Sequence, residues 1–201
     1  MRTCAALAAT LMLLTSHRGL TSGRQQPVSL EQVVEFSTLI VIAERTPAAD
    51  RTETIALVPR AEAGLPPGRS KPVERHLQAW TVREVLDGSG VGAGDVLEVR
   101  RAHDGMWLEV QARREFEQVN KIVLIESYDS PRAVKLDQQK DASGKPDPRR
   151  IVFLRAVPGG LELTVEGALE ALTARTEVLK LAKARTAGDA QPIQAKRPRK
   201  P

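Results

Sequence analysis

Cysteine is nearly missing from these 201 residues: the single one, Cys4, stands close to the N-terminus. Disulfide frameworks, thiol nucleophiles and Cys-ligated zinc are therefore excluded for the body of the chain. Aromatic residues are scarce too, with two Trp, one Tyr and three Phe. The core must be filled by Val, Leu, Ile and Ala, and nothing points to an aromatic stacking platform. Histidine occurs three times, at His17, His76 and His103. No apolar run reaches the roughly 20 residues that a helix needs to cross a bilayer.

What the N-terminus has instead is a short apolar stretch from Cys4 to Leu14, preceded by Arg2 and followed by the polar Thr15-Ser16-His17-Arg18. That three-part pattern predicts a secretory signal over 1–23, with small residues Thr21-Ser22-Gly23 before the cut. The only Cys opens the apolar stretch instead of following it, so lipid anchoring through a lipoprotein signal is not expected. The expected setting is the bacterial periplasm or the extracellular space. After the signal come a single β-rich domain over 24–185 and a disordered basic tail over 186–201.

The formal charge of +5 is carried by the two ends. Residues 24–182 hold 22 Lys/Arg against 24 Asp/Glu. A slightly acidic body offers no converging basic face of the kind that releases counterions from phosphates. The tail Lys196-Arg197-Pro198-Arg199-Lys200 is the one segment suited to touching anionic surfaces.

Ser29-Leu30-Glu31-Gln32 fits a capping box and opens a short helix over 29–36. The β-branched run 37–44 predicts a buried strand, and a weaker strand follows over 53–58. Residues 59–72 are rich in Pro and Gly and read as a long loop. A strand over 74–86, with a parity change suggesting a bulge near Ala79, leads through the Gly-rich turn 87–95 into a strand over 96–101. Met106, Leu108, Val110 and Ala112 alternate with Trp107, Glu109, Gln111 and Arg113, which predicts another strand. Strands over 122–126 and 151–155 follow, the latter joined by Pro158-Gly159-Gly160 to a strand over 161–165. Leu169, Leu172, Thr176 and Leu179 recur at helical spacing, predicting a C-terminal helix within 168–185. This inventory predicts a mainly β fold: a small antiparallel OB-like barrel with a short N-terminal and a C-terminal helix, or alternatively a β-sandwich.

The segments Leu30-Glu31 through Ala43, Val82-Arg83-Glu84-Val85-Leu86-Asp87-Gly88 and Ile151-Val152-Phe153-Leu154 resemble a group of uncharacterised exported bacterial proteins. Their arrangement looks like the OB-type barrel of netrin-like and tissue-inhibitor-of-metalloproteinase modules, which bind proteins. Those modules lean on disulfides, and the inhibitors use an N-terminal Cys. This chain lacks both, so the resemblance implies a barrel without transferring any functional residue.

Several chemistries compete for the remaining residues. Gly88-x-Gly90-x-x-Ala93 superficially matches a dinucleotide fingerprint, but the segment after it reads as a strand, not a helix. Asp87, Ser89 and Asp95 lack the spacing and terminal Glu of a calcium loop. His76 and His103 with Glu74 or Asp104 would reach the ligand count of a hydrolytic zinc site if the fold brought them together. A serine triad from His103, Asp104 and a distant Ser lacks a nucleophile elbow. A nucleic-acid-binding face would gather Arg83, Arg100, Arg101, Arg113 and Arg114. The favoured reading is a non-enzymatic exported module, without catalytic residues, metal or cofactor, that binds another envelope or extracellular protein or polymer and not nucleic acid. Trp107, Glu109 and Gln111, on the face opposite the apolar stripe, and the neighbouring His103 and Asp104 are its candidate contacts.

Overall fold

The computed structural model describes residues 23–58, 70–117, 123–132, 139–141 and 143–189. The expected signal up to residue 22, most of the 59–72 loop and the end of the basic tail lie outside the described residues. In chain order the elements are β1 (Gly23–Pro27), α1 (Leu30–Phe36), β2 (Leu39–Arg45), β3 (Arg51–Leu57), β4 (Lys71–Asp87), β5 (Val96–Arg100), α2 (Asp104–Glu117), β6 (Val123–Ser127), β7 (Arg149–Val157), β8 (Gly160–Leu163), β9 (Leu169–Glu170) and α3 (Arg175–Asp189). Strand is the prevailing structure, as expected. No described helix is long and apolar enough to cross a membrane.

Five strands close into a ring. β2 pairs with β4, β4 with β5, β5 with β8, β8 with β7, and β7 returns to β2. β3 pairs with the first half of β4, β9 adds to β7, and β1 pairs with β6 in a separate two-stranded sheet. β2 explains the layering, because its continuous apolar run is buried on both faces. Leu39, Val41 and Ala43 join Trp80, Val82, Leu97, Val99, Val152 and Leu154 within the ring. Ile40 and Ile42 face the other way, with Ile151 and Phe153, and are covered by Val33 and Val34 of α1 and Val178 and Ala182 of α3. The capping box forms as its residues predict: Ser29 Oγ accepts from the Gln32 N–H, and Gln32 Oε1 accepts from the Ser29 N–H at 2.9 Å.

Four expectations need correction. The sheet is not wholly antiparallel, since β5–β8 and β1–β6 run parallel. Parallel pairs require a crossover, and α2, β6 and β7 intervene between β5 and β8.

The expected strand over 106–113 is part of helix α2. Met106/Val110 and Leu108/Ala112 are two i,i+4 pairs offset by two residues, and about 100° per residue places them on opposite helix faces. Leu108 and Ala112 pack on Val73, Ile55 and Leu57, whereas Met106 and Val110 pack with Ile125. A helix buried on two opposite sides thus reproduces the alternation of a strand.

The extra residues of β4 are Arg83 and Leu86, where its register with β2 shifts, and not near Ala79. The parity change at Ala79 marks the point where β4 leaves β3 for β2. There the Ala79 N–H donates to Asp50 Oδ1 at 2.8 Å.

Finally, α3 begins only at Arg175, because Leu169 and Glu170 are drawn into the ladder with Val152 and Ile151. It continues to Asp189, so 186–189, expected to be disordered, are helical.

Candidate functional site

The apolar row of β4 turns polar at one end. Trp80 and Val82 belong to the ring interior, and Gln78 lies opposite the buried Val99 of β5. Alternation places His76 and Glu74 next in that row. His76 is oriented by its cross-strand partner, Thr52 Oγ1 standing 2.9 Å from Nδ1.

Beyond β5 the chain turns at His103, whose φ of 56° makes it the one left-handed non-glycine residue among those described. Asp104 then opens α2. It is 4% exposed, and its Oδ2 faces Arg75 Nε at 3.0 Å, while Arg75 Nη1 also reaches Glu53 at 3.2 Å. An acid in the first turn complements the helix dipole, and this pair ties the start of α2 to β4. Burial raises the Asp104 pKa despite the pull of Arg75 and Arg100. Burial, and then Arg155, lowers that of His103.

Asp104 is common to two clefts. The larger, about 490 Å³, is lined on one side by Glu74, His76 and Gln78 and on the other by Trp107, Leu108 and Gln111, with Arg101 and Glu166 completing it. The other, about 350 Å³, includes His103, Arg75, Arg100, Arg155 and Glu162. In the larger cleft the Arg101 guanidinium carbon lies 4.6 Å from the Trp107 ring centroid. Trp107 Nε1 and Glu166 Oε2 there, and His103 Nε2 in the smaller cleft, are buried without a hydrogen-bond partner.

The structure therefore brings Asp104, Trp107 and Gln111 together. His103 lines the neighbouring cleft, and Glu109 lines neither. Trp107 sits on a helix rather than a strand, its ring packed with Val110 and Ile125. Sequence reasoning missed Gln78 and Glu166 as contacts and named Arg101 only as part of a nucleic-acid-binding face. Continuing the β4 alternation would have found Gln78, whereas Glu166 arrives only through the bridge between its segment and Ser127.

The competing chemistries gain little from this geometry. His76 and His103 open on different clefts, and no three His, Cys, Asp or Glu among the described residues form a group able to hold a metal. The Gly-rich turn joins β4 to β5, with Asp95 Oδ2 accepting the Gly92 N–H at 2.7 Å. Arg83 pairs with Glu44 at 2.7 Å, five residues along β4 from Gln78, or roughly 16 Å from the end that carries Arg100 and Arg101. Arg100 instead donates to the carbonyls of Pro158 and Gly159.

A second polar cluster lies elsewhere. Glu170, fully buried, accepts from Tyr128 Oη at 2.5 Å, Ser130 Oγ at 2.8 Å, the Ala171 N–H at 2.7 Å and Arg132 Nη1 at 3.4 Å. The carboxylate and its donors satisfy one another, which makes the cluster a clasp between the 128–132 segment and β9.

Comparison of the chain with protein-family models, curated proteins and solved structures finds no match.

Proposed function

We propose that this chain is an exported, non-enzymatic binding module, built on an OB-like barrel, that seats part of another envelope or extracellular component in the cleft between β4 and α2. The observation that carries the reading is the cleft itself. About 490 Å³ of concave space is walled by polar side chains of both signs, with Trp107 and Leu108 as its apolar part; β4 and α2 hold most of them, while Arg101 and Glu166 come from the connections after β5 and β8. Concave sites with a few convergent polar groups are where ligands bind.

Support for an OB-like barrel comes from the closed order β2-β4-β5-β8-β7, the parallel β5–β8 pair and the placement of α2 between β5 and β7. Such barrels bind oligosaccharides and oligonucleotides on their strands and connecting loops. Support for export comes from the pattern over 1–23. Support for a non-enzymatic role is the separation of His76 from His103 into different clefts.

The test is residue-resolved NMR of the isotopically labelled chain titrated with soluble peptidoglycan fragments, lipopolysaccharide and purified envelope proteins. The expected result is a cluster of shifts at His76, Gln78, Trp107 and Gln111, lost in Gln78→Ala/Gln111→Ala. Shifts confined to the outer faces of α1 and α3, or none with any component, would remove the proposal.

A further inference from the structure

Arg101 differs from the other arginines around α2. Arg75 is held by Asp104 and Glu53, and Arg155 by Glu162 at 2.5 Å, while Arg100 grips two carbonyls. Arg101 is exposed, and its guanidinium lies over the face of Trp107. An indole face attracts cations through its quadrupole. Glu74 and Glu166 line the same cleft, and Glu166 keeps one buried oxygen without a donor. The place over Trp107 is thus electrostatically made for a guanidinium or an ammonium group, and the chain's own Arg101 shows that one fits there.

We propose that this place is the subsite for a Lys or Arg side chain of a partner polypeptide, and that Arg101 is its internal occupant, displaced when the partner binds. The inference rests on the reading of the β4–α2 cleft as the binding site and names what enters it. Displacement is inexpensive because Arg101 swings into water, and the contact it gives up over Trp107 is remade by the incoming cation. Packing of Trp107 with Val110 and Ile125 keeps the ring in place during the exchange.

The test titrates tri-arginine and tri-glutamate peptides into the full chain and follows the indole N–H resonance of Trp107, one of two tryptophans, together with the backbone amides of His76, Gln78 and Gln111, which still report in variants without that indole. Tri-arginine is expected to shift it. In Arg101→Ala the affinity for tri-arginine should rise about fivefold, the weight of one exposed cation–π contact. Trp107→Phe, which keeps an aromatic ring for packing, should weaken binding slightly, and Trp107→Leu should weaken it about fivefold. Preference for tri-glutamate, with binding lost in Arg101→Ala, would overturn the proposal by making Arg101 an anion receptor. If cleft resonances respond to an envelope component but not to tri-arginine in any variant, the basic-side-chain assignment fails while the binding-module reading stands. If they respond to nothing, both fail.

Discussion

Glu166 and Glu170 stand four residues apart, and the fold treats them in opposite ways. Glu170 is wholly enclosed and surrounded by donors: a phenol, a hydroxyl, a backbone N–H and a guanidinium. Glu166 keeps an oxygen that is buried yet receives no hydrogen bond. An unsatisfied buried acceptor costs roughly 1–3 kcal/mol, so a chain tolerates it only where something else is gained. Polar burial at Glu170 is architecture, whereas the acceptor left open at Glu166 is, on the reading proposed above, a place for an incoming donor.

The sharpest way to break this contrast is to remove each carboxylate. Glu170→Ala leaves Tyr128, Ser130 and the Ala171 N–H without their acceptor and should lower the unfolding free energy by about 3–5 kcal/mol in urea titrations. Glu166→Ala should not lower it, and should raise it by up to about 1–3 kcal/mol, because it removes an acceptor that no donor satisfies. Equal losses would erase the distinction.

A smaller probe is Tyr128→Phe, which deletes one donor to a charged acceptor and should cost about 1.5–3 kcal/mol in the same assay. Tyr128 is also the one tyrosine of the chain, so its ionisation can be read directly by ultraviolet absorbance. Burial, and then the hydrogen bond to Glu170, raises its pKa above the usual 10.0. The unfolded chain therefore loses this proton first, and stability should decline as pH rises through 10.0. In Glu170→Gln the phenolate should appear at lower pH than in the wild type.

Within the cleft the expected stability effects are smallest. Gln111→Ala should change stability by less than about 0.5 kcal/mol, because it is an exposed helix position, while weakening ligand binding. In the neighbouring smaller cleft, His103 carries a pH effect that falls near neutrality. Its folded pKa lies below the ordinary 6.5, so the unfolded state binds the proton more readily. Stability should therefore fall as pH drops below 6.5, down to the folded value, and His103→Gln should flatten that slope in denaturation curves collected between pH 7 and about 5.

Local chemistry made some of this fold legible. The Ser29–Gln32 reciprocal bonds, the doubly buried run of β2 and the Pro158-Gly159-Gly160 turn are each specified within a few residues. Three features depend on distant partners and could not be read that way. Helix α2 is flanked by β3–β4 on one side and Ile125 on the other, and only that double burial explains its alternating pattern. The parallel β5–β8 pair joins segments some sixty residues apart in sequence. Glu166 reaches the cleft through pairing with residues 126–128, which no local motif announces. Asp104, Trp107 and Gln111 were identifiable as candidate contacts. Their convergence with His76 and Gln78 is a product of ring closure.

Arg185 has a practical meaning for anyone handling the protein. Its guanidinium donates to the carbonyls of Val34 and Ser37 and pairs with Asp87, adding a polar tie between α1, the end of β4 and α3 to the apolar packing they share. A polypeptide shortened to end before it would lose that tie while keeping Val178 and Ala182 over Ile40 and Phe153, so the layer of α1 and α3 should loosen at its edge. Affinity tags and truncations at the C-terminal end should therefore leave residues up to at least 186 untouched.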